Sequence, residues 1–128
     1  VEITVNDMLC GSPAYMSPEQ TRGDTLDART DIYSLGTTMF EALTGALPYE
    51  AYSIGELFMK KCTANPRRAS DFIPNIDPLL DDIITRAMAI NPADRHESAR
   101  ELRTELRTAR DQLSEADDDG EHATIHGG

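Results

Sequence analysis

The sequence contains no apolar run approaching the roughly 20 residues needed to cross a bilayer, so no membrane contact is expected within it. Basic residues are scarce: 12 Lys and Arg stand against 23 Asp and Glu, for a net charge of −11. Six of the acids (Asp111, Glu115, Asp117, Asp118, Asp119 and Glu121) fall in the 18 residues after Arg110, where there is no Lys or Arg, so residues 1–110 carry −5. A mildly acidic body lacks the basic patch that a nucleic acid would require. The only cysteines, Cys10 and Cys62, form no C-x-x-C pair, which suits a reducing, cytoplasmic setting. The N-terminus, Val1-Glu2-Ile3-Thr4, has neither the basic patch nor the apolar stretch of a secretory leader and no initiator Met, and residue 1 is expected to be a cut. There is no G-x-S-x-G and no thiol near a histidine, so hydrolase chemistry has nothing to rest on. His122 and His126 are four apart but lack a third ligand and sit among Gly120, Gly127 and Gly128, which argues against a metal site.

What is present, in a chain 39% apolar and 27% charged, is enough material for one domain with a core. The first thirty residues are broken by Gly11, Pro13, Pro18 and Gly23 and predict an ordered loop with a short helix over 18–22. Ile32, Leu35, Met39, Phe40 and Leu43 recur at helical spacing and Gly45 offers a C-terminal cap, which predicts a helix from Asp31 to Thr44 buried on most sides. Ser53 and Glu56 have capping-box spacing ahead of a second helix that runs to Thr63. Residues 65–76 form a loop. Asp77 and Pro78 then open a third helix, carried by Leu80, Ile83, Ile84, Ala87 and Met88 and ending near Ile90 before Asn91-Pro92. A fourth helix begins near Glu97 on the stripe Ala99, Leu102, Leu106, Ala109 and Leu113. The expected fold class is mainly α, with a domain over 1–113 and an acidic, disordered tail or linker over 114–128. No strand-like alternation or internal repeat occurs.

Three segments carry a resemblance. Gly11-Ser12-Pro13-Ala14-Tyr15-Met16-Ser17-Pro18-Glu19-Gln20 resembles the end of a protein-kinase activation segment. Asp31-Ile32-Tyr33-Ser34-Leu35-Gly36 is similar to the start of the buried helix that organises the large kinase lobe, and Pro92-Ala93-Asp94-Arg95 to its late P-x-x-R turn. The three occur in the family's order, over residues 8–113, and look most like the bacterial-type Ser/Thr kinases. The fold implied is the C-terminal (large) lobe of the two-lobed kinase fold, with the N-terminal lobe and the catalytic loop missing.

The resemblance implies roles for individual residues. Glu19 and Arg95 would form a buried bidentate ion pair. Asp31 would hold the backbone of the absent catalytic loop, though read alone it is a helix cap, and Gly36 is structural. Ser12 takes the place of a substrate-loop Thr whose hydroxyl contacts the catalytic residues. Leu9, Gly11, Pro13 and Met16 would line the site for the substrate residue after the phosphorylated one, with packing beneath the loop as the alternative. Glu41 matches a position that some kinases use for a substrate Arg, and Thr4 is a candidate phosphosite. ATP and Mg²⁺ are implied for a full-length parent, with protein substrates and the missing N-terminal lobe as partners. The Gly-rich loop, the Lys–Glu pair, the catalytic Asp and Asn and the metal-binding Asp all lack counterparts here. Asp71-Phe72-Ile73 shares two letters with D-F-G but lies downstream of Ser12, on the wrong side. The chain therefore reads as a substrate platform without the chemistry. A pseudokinase or a helical interaction scaffold is the alternative.

Overall fold

The computed structural model describes the backbone of residues 12–126 and side chains as far as Glu115. Within them lie five α-helices and no strand: α1 (Pro18–Arg22), α2 (Ala28–Thr44), α3 (Ile54–Thr63), α4 (Pro78–Ala87) and α5 (Ala99–His126). Single 3₁₀ turns occupy Pro13–Tyr15, Ala69–Asp71 and Pro92–Asp94.

Short polar residues start these helices by accepting the first free N–H groups. Ser17 Oγ accepts from the Gln20 N–H at 3.2 Å while Gln20 Oε1 accepts from the Ser17 N–H at 2.8 Å, and Pro18 at the first helical position completes the start of α1. Asp27 caps α2, accepting from the Arg29 N–H at 2.9 Å. That corrects the expected start at Asp31, which lies inside the first turn and is exposed. Ser53 caps α3 as expected, but the Glu56 carboxylate accepts from the Tyr52 N–H at 3.2 Å and so does not close the box on Ser53. Asp77 caps α4, which stops at Ala87 and not near Ile90, the Met88 N–H folding back onto carbonyls of the last turn. Helix α5 runs past Ser114, where the sequence placed its end, to His126. Glu115, Ala116, Glu121 and Ala123 are helix formers, which the reading of a charged tail underweighted.

Helix α2 is the centre of the packing, laid against α4 and α5. One apolar group joins Ile32, Ile83, Ala87, Leu102 and Ala109, and a second joins Tyr33, Phe40, Ala69, Ile84 and Met88, with Met39 touching both. The buried face of α2 is Ile32, Tyr33, Gly36, Thr37 and Phe40. Leu35 and Leu43, expected in the core, are 45% and 44% exposed, and α2 is buried on one side only. Gly36 lies on the buried face. A Cβ there would stand 2.8 Å from Ala87 Cβ and 3.0 Å from Met88 Cγ, so the absence of a side chain lets α2 and α4 cross in close contact.

Candidate functional site

Two polar anchors fix the 12–19 segment to this helical body. The first begins at Glu19, in the first turn of α1, whose side chain turns inward and is buried. Arg95 follows the Pro92–Asp94 turn and reaches it from 76 residues further along the chain. Arg95 Nη1 donates to Glu19 Oε2 at 2.6 Å and Nη2 to Glu19 Oε1 at 2.9 Å, a two-pronged pairing in which the arginine side chain has no exposure and the glutamate 5%. The remaining donors go to backbone carbonyls: Nε to Ala89 at 2.7 Å, Nη1 to Arg29 at 3.1 Å and Nη2 to Ile90 at 3.1 Å. All five guanidinium N–H groups are thus used, which is the condition for a charge to sit in the interior without leaving an orphan donor. Thr30 Oγ1 adds a bond to Glu19 Oε2 at 2.9 Å. Burial alone would raise the Glu19 carboxyl, but the bonds from Arg95, from backbone N–H and from Thr30 overcome it and hold the group at about 2. One ion pair therefore ties α1 to the start of α2 and the segment after α4.

The second anchor holds the loop before α1. Ser12 caps the 3₁₀ turn, its Oγ accepting from the Ala14 N–H at 3.4 Å while the residue itself is exposed. Pro13 is buried and Met16 half-buried. Beneath them comes Lys61 of α3, 1% exposed, whose ammonium donates to the carbonyls of Pro13 (2.8 Å), Ala14 (2.9 Å) and Met16 (2.6 Å). The carbonyl between them, Tyr15, accepts from Ser34 Oγ of α2 at 2.9 Å. Burial pushes the Lys61 ammonium down to about 7, while the three carbonyl dipoles act in the opposite sense and favour the proton. The ammonium lies 5.6 Å from the centre of the Tyr33 ring, and the Arg95 guanidinium 4.9 Å from it. Tyr33 is buried against both cations.

The remaining expected residues scatter around this frame. The Tyr15 hydroxyl donates to Glu41, and that bond, with burial and the carboxylate's charge, raises the tyrosine above its ordinary range. Glu41 also borders an open groove with Tyr49, Tyr52, Lys60 and Arg67. Asp31 is exposed, and among the described residues nothing donates to its carboxylate. Thr4, Leu9 and Gly11 lie outside the described residues. Among the described residues no three His, Cys, Asp or Glu side chains gather as a metal site, and no helix is long and apolar enough to cross a membrane. Lys61, Ser34 and Tyr15 were missed from sequence. The signal for Lys61 was its place three and four residues after Phe58 and Leu57 on the apolar side of α3.

The sequence is matched by known proteins. Residues 2–105 match the protein kinase domain family. The chain is 41% identical over 108 residues to the serine/threonine-protein kinase pkn3 of Myxococcus xanthus, covering 81% of this chain and 19% of that one. It is 35% identical over 112 residues to PknL of Mycobacterium tuberculosis, covering 88% and 28%, and 35% identical over 109 residues to PrkC of Bacillus subtilis, covering 85% and 17%. It thus spans only 17% to 28% of the length of these relatives. Family match, relatives and helical architecture agree: the chain belongs to the protein kinase domain family, as part of its C-terminal lobe, with bacterial Ser/Thr kinases as relatives.

Proposed function

We propose that the chain supplies the protein-substrate platform of a Ser/Thr kinase and that the phosphotransfer chemistry lies outside it. The observation that carries the reading is the fixed Pro13–Met16 loop, with the Ser12 hydroxyl exposed at its edge and Lys61 and the Glu19–Arg95 pair beneath it. Such a surface can hold an extended peptide in one register, with Met16 beside the residue that follows the phosphate acceptor and the buried Pro13 packed beneath it. Placing a hydroxyl at a fixed point is most of what a protein contributes to phosphoryl transfer.

The residues here do not fit ATP or Mg²⁺. The sequence has no Gly-rich loop and no catalytic Asp–Asn set, and among the described residues no three His, Cys, Asp or Glu side chains gather as a metal site. The parent's nucleotide and metal would be held by other segments, in a cytoplasmic setting. The exposed Leu35 and Leu43 on α2 fit a surface on which those segments pack.

Phosphate transfer to a generic Ser/Thr protein substrate, with Mg²⁺ and labelled ATP, tests the reading in the full-length protein and in the 128-residue chain side by side. Transfer by the first, reduced on Ser12→Ala, and none by the second is the expected result. Turnover by the short chain that survives Ser12→Ala and rigorous removal of contaminating kinases would overturn the division of labour. A full-length protein that binds partners without transfer would make it a scaffold.

A further inference from the structure

Lys61 does more than fill space under the loop. An ammonium has three N–H donors and no acceptor, and here all three are taken by carbonyls of a single four-residue segment, those of Pro13, Ala14 and Met16. With Tyr15 bound to Ser34, every carbonyl from Pro13 to Met16 points into the body of the protein. No acidic side chain pairs with Lys61 among the described residues, so the charge is held by carbonyl dipoles and by the face of Tyr33. An exposed lysine needs no such setting. Burying a cation with no counter-ion is costly, and the arrangement fixes one loop shape in return. A methionine of similar length would fill the space without specifying that shape.

We propose that Lys61 is a positioning residue for peptide recognition: its ammonium draws three carbonyls of the 13–16 loop inward and so sets where the half-buried Met16 meets the substrate. This rests on the reading of the loop as a substrate platform. The carbonyls are spent on Lys61 and Ser34, so an incoming peptide meets side chains on this stretch and cannot add to it as a strand. Lys61 touches no reacting group. Its loss acts on peptide affinity before turnover.

Amide hydrogen exchange on Lys61→Met reads the loop directly, with Ile83 and Ile84 in α4 reporting whether the fold is intact. Exchange at Tyr15 and Met16, whose N–H groups bond Ser12 and Pro13 carbonyls at 3.1 and 3.3 Å, should speed up by about tenfold or more while α4 is unchanged. In the full-length protein the same variant should raise the peptide KM about tenfold and leave kcat within about twofold. Lys61→Arg should not restore the loop, because a planar fork cannot meet three carbonyls converging on one point. Loop exchange unchanged in Lys61→Met overturns the proposal, and so does a loosened loop with unchanged KM. If Lys61→Met fails to fold, the unaltered protein decides. The Lys61 ammonium protons should exchange with water far more slowly than those of the more exposed Lys60, and equal rates would overturn the contact. A full-length protein that transfers no phosphate fails the functional reading instead, and the exchange measurements still decide whether Lys61 holds the loop.

Discussion

Arg95 and Lys61 are both 1% exposed and both rest against Tyr33, yet they are buried on different terms. Arg95 meets a carboxylate 76 residues away and three carbonyls besides, so it joins distant segments and its partner would be stranded without it. Lys61 meets only carbonyls of one turn, those of Pro13, Ala14 and Met16. The first cation decides whether the elements stay together. The second decides the shape of one loop. A buried charge therefore contributes stability or local form according to what it leaves behind when removed.

The largest effect belongs to the pair. Arg95→Ala leaves a buried carboxylate and Glu19→Ala a buried guanidinium, and each should cost on the order of 3–5 kcal/mol, read as a drop in denaturant midpoint. A purely apolar contact gives a scale for that loss. Gly36→Ala forces a methyl into the 2.8 Å approach to Ala87 and should cost about 1–3 kcal/mol without altering the loop. Lys61→Met should change stability by less than about 2 kcal/mol in either direction, because relief of a desolvated charge offsets the loss of three carbonyl bonds. A loss as large as that of Arg95→Ala would erase the distinction between the two cations. The smallest test uses acid alone. Glu19 holds its proton at about 2 in the folded chain and 4.5 when unpaired, so the unfolded state binds the proton first as pH falls. Its contribution is complete above 4.5 and is lost progressively toward 2. Stability in Glu19→Gln should accordingly vary less with pH across that window.

The helices were legible because their signals are local: Ser53 and Asp77 accept N–H groups three residues on, and apolar stripes repeat within a few turns. Helix boundaries were less so, since Asp27 and Asp31 are equally good caps by type and only the path of the chain chose the first. The identity of Glu19 and Arg95 as partners came from the kinase resemblance, for nothing local joins residues so far apart. Lys61 was invisible for the opposite reason. A lysine on a surface-length helix reads as solvated, and its acceptors are backbone carbonyls, which every sequence has and none advertises.

One buried ion pair binds the 12–19 segment to the chain after α4, and a double-mutant cycle on Glu19 and Arg95 tests it most directly. If the pair is buried as described, the second substitution relieves a charge that the first had stranded, and the double mutant should lose far less than the sum, with a coupling of about 2 kcal/mol or more. Two solvated charges would each cost about 0–1 kcal/mol and add. A coupling within about 0.5 kcal/mol of zero would contradict the account.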